Sequence, residues 1–159
     1  HRPNNVDSYR NMAHVAAIIE AAAEYAPLIF PIHPRTKKNF ERFGLLEKLK
    51  ASPKVILTKP LGYLDFLNLL KDAKAVLTDS GGIQEETTYL GIPCLTLREN
   101  TERPVTVDIG TNTLVGLDNE KVTKGLSSVF SNQYKQGACP EKWDGNASQR
   151  IVETIINNL

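Results

Sequence analysis

Residues 75–91 read AVLTDSGGIQEETTYLG: an apolar run ending at Thr78, a turn Asp79-Ser80-Gly81-Gly82, and a helical segment that stops at Gly91. Strand, glycine turn and helix in that order make one βα unit, with the strand expected over 75–78 and the helix over 81–90. Ser80 and the two glycines stand where the unpaired N–H groups of a helix N-terminus point outward, so the turn can receive an anion. A side chain at 81 or 82 would hold that anion away from the backbone donors, and Ser80 adds a hydroxyl as cap or ligand. The helix dipole contributes only ~0.3–1 kcal/mol per favourable charge, so other contacts are required. The plain structural alternative is a helix cap with a flexible turn.

Working outward, the same alternation repeats. Upstream, Asp7 is expected to cap a helix whose apolar positions Met12, Val15, Ala16, Ile19, Ala22 and Ala23 recur at helical spacing, closed by Pro27. A strand is expected over 28–32, a helix over 36–43 before Gly44, a strand over 54–58 and an amphipathic helix over 63–73. Downstream, strands are expected over 93–97 and 112–115, with helices over 119–130 and 147–157. Strands separated by helices imply parallel pairing through right-handed crossovers, hence a doubly wound α/β domain with a mainly parallel sheet. In such sheets ligands collect outside the carboxyl ends of the strands, which singles out the loops opening at His33, Pro60 and Asp79.

Composition narrows the function. The 159 residues are 41% hydrophobic, enough for one substantial core and one domain. Lys plus Arg number 19 against 18 Asp plus Glu, so no bulk basic field draws the chain to nucleic acid and anion recognition has to be local. No run approaches a membrane span and no signal-peptide pattern is present. Cys94 and Cys139 lack metal-ligand spacing, and Cys94 lies in the apolar run IPCLTL, where a small buried thiol in a reduced, cytoplasmic protein is the expectation. The opening His1-Arg2-Pro3-Asn4-Asn5, with no preceding element, reads as a fragment of a longer polypeptide.

Glu85 and Glu86 follow one turn into the helix, where a carboxylate facing the pocket can accept both hydroxyls of a ribose; otherwise they are acidic residues favoured by the first turns of a helix. No Gly-x-Gly-x-x-Gly occurs in the chain, so a nucleotide diphosphate-sugar fits better than a nicotinamide dinucleotide.

The string DSGGIQEE resembles the signature of non-hydrolysing UDP-N-acetylglucosamine 2-epimerases. Three further segments agree in order: HRPNNVD at 1–7, PLGYLDF at 60–66 and TERPVTVDIGTNTLVG at 101–116. The resemblance implies a Rossmann-like domain that is one half of a glycosyltransferase-B-like two-domain fold, with residues 1–159 as the C-terminal UDP-binding domain and the N-terminal domain outside this chain. It implies that Ser80, Gly81 and Gly82 hold the diphosphate, Glu86 the ribose hydroxyls, and Phe66 the uracil, for which the alternative is a core aromatic beside Leu67 and Leu70. His1 matches the histidine at the reaction centre, so it is the catalytic candidate. Many members read HRREN where this chain reads HRPNN, which keeps His1 and Arg2 but loses a charge. Arg2 and His33 match positions that contact a second, regulatory UDP-sugar, although His33 also suits a turn at a strand end. Arg103 can meet a phosphate across the cleft, or Thr101-Glu102-Arg103 can be a self-contained ion pair.

By the same resemblance the full-length parent interconverts UDP-N-acetylglucosamine and UDP-N-acetylmannosamine without a redox cofactor or metal. It acts as a homodimer serving cell-surface polysaccharide synthesis, with acid/base groups contributed by the N-terminal domain, and the isolated chain is expected to bind UDP weakly and turn over nothing. A hydrolysing epimerase, a UDP-sugar glycosyltransferase, a UDP-sugar-sensing module and a purely structural domain are the alternatives.

Overall fold

Five short parallel strands carry the chain. The computed structural model describes residues 1–159 and gives the order α1 (Pro3–Val6), α2 (Tyr9–Ala23), β1 (Leu28–Pro31), α3 (Pro34–Arg42), α4 (Leu46–Ala51), β2 (Val55–Thr58), α5 (Tyr63–Lys71) and β3 (Val76–Thr78). There follow α6 (Gly81–Leu90), β4 (Cys94–Thr96), α7 (Pro104–Asp108), β5 (Asn112–Leu114), α8 (Asn119–Phe130) and α9 (Ala147–Asn157). All five expected strands and all six expected helices form. Pairing divides the strands between two sheets, β1-β2 with Leu28 opposite Val55, and β3-β4-β5 with Leu77 opposite Leu95 and Leu95 opposite Thr113.

Helices cover both faces, as double winding requires. Along β4 the side chains alternate. Leu95 packs with Ile18 and Ala22 of α2 and Val122 and Leu126 of α8, whereas Thr96 turns the other way and bonds Asn112, itself tied to Gln84 of α6. The helix α2 joins the two halves of the core. One flank, Met12, Val15, Ala16, Ile19 and Ala23, packs with Phe40, Leu46, Leu49 and Val55, and the other flank serves the α8 side. Met12, Phe40 and Leu49 are fully buried, each stabilising the fold by roughly 1.5–3 kcal/mol.

The start of α2 corrects the expected cap. Ser8, not Asp7, is the N-cap, its side chain accepting from the Asn11 amide at 3.2 Å. Asp7 instead ends α1, a single turn begun by Pro3 at its first position, and its carboxylate pairs with Arg35. The expected stop at Gly91 is a left-handed residue with φ of 71°, which glycine adopts without strain. Beyond α8, Tyr134 anchors the chain to the sheet, its hydroxyl bonding Thr113 and the carbonyls of Cys94 and Thr111, and burial pushes its phenol up to about 12. The final helix α9 has no buried residue, with Ile151, Val152, Ile155 and Ile156 all exposed. No helix is long and apolar enough to cross a membrane.

Candidate functional site

The turn between β3 and α6 lies at the carboxyl end of β3. Ser80 occupies the N-cap in extended conformation, but its hydroxyl accepts no capping bond; the Ser80 amide donates to Thr78 Oγ1 at 3.1 Å and the first helical bond runs from the Gln84 amide to the Ser80 carbonyl. The amides of Gly81, Gly82 and Ile83 therefore make no hydrogen bond within the chain. Neither glycine has a positive φ, and a Cβ on Gly82 would meet nothing within 4 Å, while one on Gly81 would lie 3.8 Å from Glu102 Oε2. Neither strain nor packing explains the pair, so what the glycines secure is open approach to the donors.

The two glutamates have different surroundings. Glu85 is ion-paired with Arg103, its Oε1 2.8 Å from the guanidinium Nε. Glu86 is half-buried with no hydrogen-bonding or ionic partner, and burial, with the charge of Glu85 adding to it, raises its carboxyl above the usual range. Arg103 thus makes its ion pair with α6 across the loop and not with Glu102, although its amide donates to Thr101 Oγ1 at 2.9 Å and its guanidinium to the Glu102 carbonyl at 3.2 Å, so the 101–103 segment is ordered locally as well. Glu102 belongs to Arg98, whose guanidinium grips both carboxylate oxygens at 2.9 and 3.1 Å and brings the acid down to about 2.

His1 sits over the same turn. Its main-chain nitrogen lies 2.9 and 2.8 Å from the two oxygens of Asp79, and the next amide, of Arg2, donates to Asp79 Oδ2 at 2.8 Å. Asn5, buried, donates to Asp79 Oδ2 and to the Leu97 carbonyl at 2.9 Å. The His1 ring stacks on His33, centroids 4.4 Å apart and planes 16° from parallel. His33 caps α3 as well, its Nδ1 accepting from the Arg35 amide at 3.1 Å, which leaves the proton of the neutral ring on Nε2. Arg2 reaches toward Glu102 at 4.0 Å.

The structure therefore gathers His1, His33, Asp79 and Ser80 around one opening, which Phe66 of α5 also lines, half-buried. Arg2, Arg103 and Glu86 stand on its flanks and do not line it. Two features escape a reading by spacing. Asp79 as the brace of the His1 turn depends on residues 77 and 78 positions apart. Behind the turn, the fully buried Gln84 accepts from Thr101 at 2.6 Å and Asn112 at 3.1 Å, and Asn112 also donates to Thr106, so the 101–106 loop is bolted to α6 by polar side chains. Chemically the assembly offers unpaired amides, a hydroxyl, one unpartnered carboxylate and two imidazoles. No group of three His, Cys, Asp or Glu residues is arranged to hold a metal.

A family model described as UDP-N-acetylglucosamine 2-epimerase matches residues 1–156. The chain is 43% identical over 157 residues to the UDP-N-acetylglucosamine 2-epimerase of Methanocaldococcus jannaschii, covering 98% of this chain and 42% of that protein. It is 36% identical over 156 residues to a UDP-2,3-diacetamido-2,3-dideoxy-D-glucuronate 2-epimerase of Pseudomonas aeruginosa, covering 98% and 42%. The crystal structure of the M. jannaschii enzyme in complex with UDP-GlcNAc and UDP superposes with a TM-score of 0.83 at 42% identity, covering 99% of this chain and 43% of that one. The chain thus spans less than half the length of these relatives.

Proposed function

Because the chain belongs to the UDP-N-acetylglucosamine 2-epimerase family, we propose that it is the UDP-binding part of an enzyme that interconverts UDP-N-acetylglucosamine and UDP-N-acetylmannosamine. The carrying observation is the α6 N-terminus, where three amides are free, a Cβ on Gly82 would meet nothing within 4 Å, and Glu86 waits one turn on without a partner. The amides of Gly81, Gly82 and Ile83 and the Ser80 hydroxyl receive the diphosphate, Glu86 accepts the ribose hydroxyls, and Phe66 lies against the uracil.

In the reaction, a proton leaves C2 while the C1–O bond breaks with its electron pair passing to UDP, forming a C1–C2 double bond. UDP then adds back at C1 as C2 is protonated on the opposite face. Negative charge grows on the departing diphosphate. Donors already aimed at that position stabilise it without reorganising, which is where this chain contributes to rate. His1, held over the turn by the Asp79 contacts of its own main chain and Arg2's, adds a ring donor beside the leaving group. The groups that move the C2 proton belong to the remainder of the longer polypeptide, so the chain alone binds UDP weakly and turns over nothing. That remainder and a second subunit are its partners, and both cysteines being free thiols supports work in a reducing cytoplasm.

The test is a calorimetric titration of the chain with UDP and with ADP, beside an assay of the relative-length polypeptide for UDP-N-acetylmannosamine. Saturable binding that prefers UDP is expected from the first and product from the second. Equal affinity for both nucleotides, or free N-acetylmannosamine as the sole product, would refute this reading.

A further inference from the structure

At the other end of α6 from the glycine turn lies an open pocket of about 590 Å³, within the size range of small-molecule sites. Lys74 before β3, Ile92 before β4 and Thr111 before β5 line it, as do Lys71 at the end of α5 and Gly91 just past α6. It therefore sits at the amino ends of the three-stranded sheet. The ten residues of α6 separate it from the turn by about 15 Å.

Its charge is of one sign. Lys71, Lys74 and Lys135 all line it, and no Asp or Glu does. The lysine ion pairs of this chain are made by Lys37, Lys48, Lys50, Lys54 and Lys121, and by none of these three. Two of them are held by neutral acceptors instead: Lys74 Nζ donates to Asn132 Oδ1 at 3.1 Å and Lys135 Nζ to the Val107 carbonyl at 2.7 Å. Asp108 acts on Lys135 from outside the lining, and Asp72, beside Lys71 in sequence, lines the opening that His1 and Phe66 share. A helix carboxyl end favours a cation in its last turn, which accounts for Lys71 but not for Lys74 and Lys135, both beyond the helix ends.

Neutral donors lie among these charges. The amides of Tyr134, Lys135, Gln136 and Gly137, all in the lining, make no hydrogen bond within the chain. Gly137 lets that segment lie directly on the strand ends, since a Cβ there would collide with the Gly110–Thr111 peptide. Thr111 is only 3% exposed, yet its hydroxyl has no hydrogen-bond partner. Buried polar groups are nearly always paired, so a partner for this one is missing from the chain itself. We propose that the pocket is a second anion site, separate from the glycine turn, which takes the phosphate dianion of a phosphate monoester. The three lysines balance the dianion, the 134–137 amides and the Thr111 hydroxyl bond its oxygens, and Leu90, Ile92 and Val129 of the lining lie against the carbon body of the ester.

Site-resolved NMR titrations with phenyl phosphate and with inorganic phosphate, at constant ionic strength, test the proposal. Both probes are expected to shift the Gly91, Thr111 and Gln136 amides saturably, phenyl phosphate at least about fivefold more tightly because only it reaches the apolar wall. The Gly81 and Gly82 amides report binding at the α6 turn separately, so the two sites stand or fall independently. In the double variant Lys71→Gln, Lys74→Gln both affinities are expected to fall at least about tenfold, while Lys71→Arg, Lys74→Arg keeps them within about threefold. Thr111→Val is expected to weaken phenyl phosphate binding without lowering the thermal midpoint, since the hydroxyl it removes has no partner in the fold. Absence of saturable shifts at the three amides overturns the proposal, as do shifts that sodium chloride reproduces or that persist unchanged in the glutamine variant. Equal affinity for the two probes overturns it as well, because the apolar wall would then hold nothing.

Discussion

The main-chain amide of Arg2 donates to Asp79 Oδ2 at 2.8 Å, joining the turn that bears His1 to the residue that opens the β3–α6 turn. Asp79 does this while receiving Asn5 Nδ2 as well, so one carboxylate organises donors from a segment more than seventy residues away. Replacing it with alanine leaves those donors without an acceptor, at a cost of about 1–3 kcal/mol. Asp79→Ala is therefore expected to unfold at lower denaturant than the parent chain and to separate the His1 and His33 rings. Asp79→Asn, which keeps an oxygen in place, is expected to retain more than half of the lost stability. Equilibrium unfolding and the histidine ring resonances in NMR spectra check both.

Glu86 opposes stability to binding. Burial, together with the charge of Glu85, raises its carboxyl, so the folded chain holds this proton more tightly than the unfolded chain. The linkage sign follows: stability from this group is fully present below the ordinary carboxylate pKa and is lost as pH rises through the raised folded value. Glu86→Gln removes that loss, so the variant is expected to match the parent near pH 4 and exceed it at pH 7. UDP affinity is expected to move the other way, falling about tenfold or more, since an amide oxygen is a weaker acceptor for two ribose hydroxyls than a carboxylate. Denaturant melts at the two pH values, with titrations at pH 7, separate these effects.

Gly82 is a glycine without a structural reason to be one. A Cβ there meets nothing within 4 Å and the φ is not positive. Gly82→Ala is expected to fold at least as stably, gaining up to ~1 kcal/mol of helix propensity. Its UDP affinity is expected to fall by more than about tenfold, which is ~1.4 kcal/mol. Gly110 is the control: its Cβ would collide with Thr88 and the Thr106 carbonyl, so Gly110→Ala is expected to lose stability instead. Circular dichroism melts and calorimetry on the two variants distinguish a glycine kept for a ligand from one kept for packing.

The parts of this fold that could be read in advance are those whose signals are local. The helix bounds at Gly81–Leu90 and Asn119–Phe130 agree with those expected residue for residue, the first stopped by Gly91, while the structure adds Asp118 as the cap of the second. The single turns α1 and α7, each opened by a proline, carry too few residues for any periodicity to register. Partition of the strands between two sheets depends on hydrogen bonds between distant segments. At the site, the glycine turn at the head of α6 is readable because a glycine turn before a helix has a physical meaning by itself, whereas the choice of Glu86 over Glu85 rests on the family resemblance. The sorting of Glu85 to Arg103, the stacking of His1 on His33 and the burial of Gln84 are not readable, since each is a choice of partner made by the tertiary fold.

Gln84 and Arg103 hold the 101–106 loop to α6 by different means, and their variants should fail differently. Arg103 and Glu85 are both substantially exposed, so Arg103→Ala is expected to change stability by no more than ~1 kcal/mol. Gln84 is fully buried and accepts from Thr101 and Asn112, so Gln84→Leu strands two donors beneath the loop and is expected to cost about 1–3 kcal/mol. If the loop matters to the site through its position, Gln84→Leu lowers UDP affinity along with stability, and limited proteolysis cuts near residues 99–103 first. If Arg103 itself meets phosphate, Arg103→Ala lowers affinity with stability intact, while Glu85→Ala, which frees the guanidinium from its partner, leaves affinity unchanged or raises it. Equal losses of affinity from Glu85→Ala and Arg103→Ala would instead mean that the ion pair works only as a brace, and Arg103 would leave the set of binding residues.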